Sequence, residues 1–85
     1  MKYTLLIERY AQKQILKLDK KVIPAIKTAI AGLVENPRPY GYLKLKGEDA
    51  YRIRVGNYRI IYEIDNGKLI VIIVGVGHRK DVYNK

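Results

Sequence analysis

The sequence predicts an α+β fold in which an N-terminal strand and an αα-hairpin pack on one face of a mainly antiparallel four-stranded sheet. Three observations predict it. Apolar residues recur at three- and four-residue steps through the first half of the chain, as one face of a helix requires. The second half reads as β-branched and aromatic runs separated by glycine-containing turns. No repeat, low-complexity tract or linker divides the 85 residues, so residues 1–85 are expected to form a single domain.

Taken in order, Tyr3 to Ile7 is a short run suited to a strand, expected beside the last strand of the sheet. From Ala11 the period changes. Ala11, Ile15, Leu18, Val22, Ile26, Ala29 or Ile30, and Leu33 form one apolar stripe, which predicts two long helices with Asp19 capping the second. Pro24 lacks an amide proton and fits only the first turn, so the second helix should start between Lys20 and Ile23. Asn36-Pro37-Arg38-Pro39 ends it, because each proline disfavours the helical region for the residue before it.

The turns of the second half set a register. Asp65-Asn66-Gly67-Lys68 carries an Asn-Gly hairpin signal, and Val55-Gly56-Asn57-Tyr58 reads as a second two-residue turn. Strands are expected at about 50–55, 58–65 and 69–76. With Gly56 and Asn57 as the loop, Val55 faces Tyr58, Arg54 faces Arg59, Ile53 faces Ile60 and Arg52 faces Ile61. Tyr51, Ile53, Val55, Tyr58, Ile60, Tyr62 and Ile64 then share the helix-covered face, and Arg52, Arg54, Arg59, Ile61 and Glu63 share the other.

Composition narrows the function. Lys and Arg number 17 against 8 Asp and Glu, a net charge of +9, with no cysteine and one histidine. A chain of this length supports a shallow site and not a deep enclosed one. The absence of cysteine excludes disulfides, thiolate nucleophiles and Cys-ligated metals, and the scarcity of histidine argues against a zinc centre; no cofactor or metal is expected. The apolar run after Met1 is too short for a signal peptide, and the stretch from Leu69 to Val76 is far below the ~20 residues that span a bilayer, so a cytoplasmic location is expected. At 48% apolar the chain is no disordered basic tail, and a polyanion is the natural partner of a folded body so charged.

The charge has an informative part. Arg54 opposite Arg59, with Arg52 two residues along, places like charges together at a cost of a few tenths of a kcal/mol or more. A phosphate backbone compensates for this, since the guanidinium fork binds phosphate oxygens bidentately and stays charged at accessible pH. The last strand, Leu69 to Val74, is apolar on both faces, which leaves Ile70, Ile72 and Val74 on the arginine face with no cover inside the chain. Together with Ile61 they are the expected surface for a protein partner. Beyond this strand, Gly75 and Gly77 precede His78, Arg79 and Tyr83, which are expected at the sheet edge from which the arginines project. Histidine suits proton transfer near neutral pH, and tyrosine stacks on bases.

Three motifs, Lys44-Leu45-Lys46-Gly47, Tyr51-Arg52-Ile53-Arg54-Val55-Gly56-Asn57-Tyr58-Arg59-Ile60-Ile61-Tyr62 and Val76-Gly77-His78-Arg79-Lys80-Asp81-Val82-Tyr83, resemble in order and spacing the RelE branch of the RelE/ParE toxin–antitoxin toxins. The resemblance covers nearly the whole chain. It implies an endoribonuclease, an mRNA interferase that enters the ribosomal A site, cuts the codon there to leave a 2′,3′-cyclic phosphate, and is held inactive by a RelB-like antitoxin.

Carried over by motif, Arg52 and Arg54 match the pair that contacts the reacting nucleotide, a lysine pair in the best-known members. Arg59 matches the arginine on the scissile phosphate, Arg79 the one that stabilises the transition state and leaving group, and Tyr83 the tyrosine that stacks on the substrate base. Lys44 and Lys46 join Arg52 and Arg54 as expected RNA or ribosome contacts. Arginine is a poor general base, so His78 or Tyr83 stands as candidate for that role. The spacing from Arg79 to Tyr83 is also shorter than in the best-known members. Two alternatives remain within reach of the sequence: a ParE-like inhibitor of DNA gyrase, and an RNA-binding module that cuts nothing.

Overall fold

Five strands form one sheet in the order β1-β5-β4-β3-β2, in a computed structural model that describes residues 2–78. In chain order the elements are β1 (Thr4–Ile7), α1 (Arg9–Leu16), α2 (Ile23–Glu35), β2 (Leu43–Lys44), β3 (Tyr51–Val55), β4 (Tyr58–Asp65) and β5 (Ile70–His78). β1 runs parallel to β5, in the expected place, and the remaining pairs are antiparallel. The α+β class is as the sequence predicts, with one strand more. The addition is β2, two residues paired to Tyr51 and Arg52, too short to leave a period-two pattern.

The helices are shorter than the periodicity suggests. α1 has 8 residues and α2 has 13. The apolar steps at Leu18 and Val22 continue through the connecting turn, where both side chains pack half-buried on the core and extend the helical pattern beyond the helix itself. Asp19 does not cap α2. Its carboxylate accepts the Lys21 amide at 3.0 Å and its carbonyl accepts that of Val22 at 2.8 Å, which closes the turn before Val22 takes the N-cap position. Pro24 lies in the first turn of α2, where its missing amide removes no helical bond.

The β3–β4 register is the one set by the Gly56-Asn57 turn, with Arg54 opposite Arg59 and Val55 opposite Tyr58. Ile53, Ile60, Tyr62, Val71, Ile73 and Val76 meet Ala11, Ile26, Ile30 and Leu33 of the helices in the main core. The β4–β5 connection differs from the expected two-residue turn. Asp65 pairs with Ile70, leaving a four-residue loop in which the Asp65 carboxylate accepts the Lys68 amide at 3.0 Å and Leu69 carries a φ of 55°. The Asp65 side chain thus takes the turn-closing bond.

A bulge interrupts β5. Ile61 pairs with Gly75 and Tyr62 with Ile73, so Val74 is an extra residue that reverses the alternation of everything after it. β1 covers the β5 edge only as far as Ile73, and there α1 takes over: Gln14 Oε1 accepts the Val76 amide at 2.8 Å. Gln14→Ala removes the acceptor from this part-buried amide and is expected to cost about 1–2 kcal/mol, read as a lower urea midpoint with unchanged m-value.

Tyr62 binds the post-helical segment to the sheet. Its buried hydroxyl donates to the Pro37 carbonyl at 2.7 Å, and its ring lies 5.9 Å from that of Tyr51, itself 5.7 Å from Tyr42. Burial, followed by the neighbouring Tyr42, pushes the Tyr62 phenol above the ordinary tyrosine range. Above pH ~10 the unfolded chain releases this proton while the folded chain retains it, so stability should fall by up to ~1.4 kcal/mol per pH unit. Urea midpoints at pH 9 and 11 should therefore separate more for the wild type than for Tyr62→Phe.

Candidate functional site

The arginine face is built by the alternation of two central strands. Arg52 and Arg54 on β3 project opposite Ile61 and Arg59 on β4, away from the helix-packed side chains. Arg52 and Arg59 are half-buried and Arg54 is exposed. On β5 the positions opposite Ile61 and Arg59 are Gly75 and Gly77, so no β5 side chain competes for that part of the face. Among the described residues neither Arg52 nor Arg54 forms an ion pair with a carboxylate. No carboxylate among the described residues therefore neutralises Arg52 or Arg54.

The expected apolar surface is partly filled from within the chain. After β2 the segment 45–50 closes with the Leu45 amide on the Ala50 carbonyl at 2.9 Å, and Leu45 and Ala50 pack on Ile61 and Val74 as a second small core. Ile61 is 3% exposed and is removed from the partner surface expected for it. Val74 is half covered in the same way, while Ile70 and Ile72 remain half-buried at the far end of the face, joined there by Leu6 of β1, which pairs with Ile72.

Two of the basic and proton-transfer candidates lie elsewhere than expected. Lys44 pairs with Tyr51 and so takes the helix-side orientation, opposite to Arg52, whereas Lys46 follows in the exposed segment beyond Leu45. His78 is not at the arginine face. The bulge at Val74 reverses its side, pairing it with Tyr58, and the two rings meet edge-on with centroids 5.7 Å apart. β5 runs on through Gly75 and Gly77 to His78. Arg79 and Tyr83 lie outside the described residues.

Among the described residues no group of three His, Cys, Asp or Glu is placed to hold a metal ion, and no helix is long and apolar enough to cross a membrane. The chemistry on offer is three fixed positive charges on a rigid sheet. Sequence reasoning missed Tyr40, which is fully exposed beside Arg52 and Arg54. The signal was present as an aromatic residue inside a Pro-Tyr-Gly turn, where nothing in the chain requires one.

Comparison with known proteins agrees with this geometry. A family model described as the ParE toxin of type II toxin–antitoxin systems, parDE, matches residues 5–83. Toxin RelG of Mycobacterium tuberculosis is 30% identical over 87 residues, covering 100% of both chains. The mRNA interferase toxin RelE of Escherichia coli K12 is 31% identical over 90 residues, covering 100% of this chain and 94% of the relative. The archaeal RelE–RelB complex from Pyrococcus horikoshii contains a chain that superposes with a TM-score of 0.82 at 26% identity, covering 95% of this chain and 99% of that one. The sheet order, the arginine face and these full-length likenesses together place the chain in the RelE branch of the RelE/ParE toxins of type II toxin–antitoxin systems.

Proposed function

We propose that this protein is a ribosome-dependent mRNA endonuclease, the toxin of a pair whose antitoxin is RelB-like. The carrying observation is the opposed arginine cluster on β3 and β4, in which no carboxylate among the described residues pairs with Arg52 or Arg54. In the reaction the 2′-oxygen of one nucleotide attacks the adjacent phosphorus and loses its proton, the bond from phosphorus to the 5′-oxygen breaks, and that oxygen takes up a proton. The products are a 2′,3′-cyclic phosphate and a 5′-hydroxyl, with no external co-reactant. Negative charge builds on the phosphorane oxygens, and fixed cations aimed at them stabilise that state more than the ground state.

Arg59 holds the scissile phosphate from the centre of the sheet, and Arg52 and Arg54 hold the attacking nucleotide from the adjacent strand. Arg79 stabilises the leaving oxygen. With His78 turned to the Tyr58 side, Tyr83 is the side chain left to stack on the base and exchange a proton. Alignment of the 2′-oxygen falls to mRNA held in the A site. The name of the Pyrococcus complex and the half-buried Ile70 and Ile72 support a RelB-like antitoxin as the inhibitory partner.

Primer extension on mRNA from cells expressing the protein tests the proposal. Cuts within codons, lost when the start codon is removed and suppressed by the antitoxin, are the expected result. Intact mRNA accompanied by gyrase-linked DNA breaks would overturn it in favour of a ParE-like activity.

A further inference from the structure

We infer that the cleft beside Tyr40 is a nucleotide subsite, in which Tyr40 stacks on a base of single-stranded RNA whose phosphate reaches Arg52 and Arg54. The inference deepens the RNA-cleaving proposal and rests on it for its biological setting. β2 pairs with β3 only at Tyr51 and Arg52, so the β3 edge from Ile53 onward has no neighbouring strand. A cleft of about 570 Å³ opens there between Gly32 and Leu33 of α2, Tyr40 and Gly41, and Arg52 and Arg54. Its volume lies within the roughly 300–1,000 Å³ of small-ligand sites.

Tyr40 is presented and held. A turn closes with the Tyr42 amide on the Pro39 carbonyl at 3.1 Å, with Gly41 at a φ of 91°, which places Tyr40 at the outward corner. The segment before it is fixed at three points. Asn36 Oδ1 accepts the Arg38 amide at 3.1 Å, Arg38 Nη2 donates to Asn66 Oδ1 at 3.2 Å, and the Pro37 carbonyl accepts the Tyr62 hydroxyl. A fully exposed ring on a turn whose backbone is already ordered by the fold is a stacking platform.

Gly32 supports the assignment independently. It sits inside α2, where glycine weakens a helix relative to alanine, yet a Cβ built there meets nothing within 4 Å. Packing does not require the glycine. Its lack of a side chain keeps the cleft wide, and Arg52 and Arg54 border the cleft at the β3 edge, from which their side chains project to the adjoining arginine face where a phosphate would be held.

The test measures binding of a 2′-O-methylated, uncleavable single-stranded RNA heptanucleotide by fluorescence anisotropy at low salt. Tyr40→Ala should weaken binding about 5- to 150-fold, the value of one stacked base. Tyr40→Trp should preserve binding, and Gly32→Leu should weaken it while the unfolding midpoint stays level or rises. Equal affinity of Tyr40→Ala and wild type would overturn the inference whether or not the wild type cleaves mRNA. So would a loss confined to antitoxin affinity, which would assign the ring to a protein contact. A Tyr40-dependent affinity in a protein that cuts no mRNA would uphold the subsite and sink the nuclease proposal. Parallel titration of empty and mRNA-filled ribosomes locates the base: a Tyr40→Ala defect on both marks ribosomal RNA, and a defect on filled ribosomes alone marks the message.

Discussion

Arg59→Ala should lower the rate of cleavage of ribosome-bound mRNA about 10²- to 10³-fold, the usual consequence of removing one preorganised donor from a developing oxyanion. Arg59 is suited to that role by position. It lies on β4, flanked by β3 and β5, with Arg54 opposite it on one side and Gly77 on the other. Its side chain is on the face away from the main core, so alanine leaves that core intact and removes a like-charge opposition with Arg54. A cooperative unfolding transition and unchanged antitoxin affinity should accompany the loss of activity. Arg59→Lys should recover part of the rate, because it restores the charge without the planar fork. Undiminished cleavage by Arg59→Ala would remove the arginine face from the mechanism.

Tyr62→Ala should be the most damaging single change to stability. Among the described residues Tyr62 is the largest fully buried side chain, and truncating a buried aromatic costs about 3–5 kcal/mol. For 85 residues a total stability of roughly 4–13 kcal/mol is expected, so this one change removes much of it. Tyr62→Phe separates packing from hydrogen bonding. It keeps the ring but leaves the Pro37 carbonyl without its donor, at a cost of about 1–2 kcal/mol. Because that bond anchors the turn bearing Tyr40, Tyr62→Phe should also broaden the Tyr40 ring resonances in NMR spectra. Urea denaturation of both variants checks the energies; equal stability of Tyr62→Phe and wild type would show that the bond contributes nothing net.

The parts of the fold legible in the sequence are those set by local geometry. The Gly56-Asn57 turn fixes the β3–β4 register, and the register alone puts Arg52, Arg54 and Arg59 on one face. The place of β1 beside β5 is legible too, as the neighbour of an interior apolar strand, whereas its parallel direction is seen only in the structure. What the sequence conceals depends on packing between distant segments. The bulge at Val74 exists where Val74 joins Ile61 beneath Leu45 and Ala50, a contact with no periodic signature, and it moves His78 to the other side of the sheet. β2 is two residues long, and its pairing with β3 puts Lys44 on the side of Tyr51, opposite to Arg52. Tyr40 reads as an ordinary turn residue until the free edge of β3 is seen beside it.

The central claim is that fixed positive charge on this face drives attack by a 2′-hydroxyl on message held in the ribosome. Its most direct test is single-turnover cleavage of end-labelled mRNA in programmed ribosomes, with and without one 2′-deoxy substitution at the nucleotide 5′ to the cut. A product ending in a 2′,3′-cyclic phosphate is expected from the all-ribose message, with no cut at that position in the deoxy message. Equal cleavage of both, or an intact all-ribose message, would contradict it.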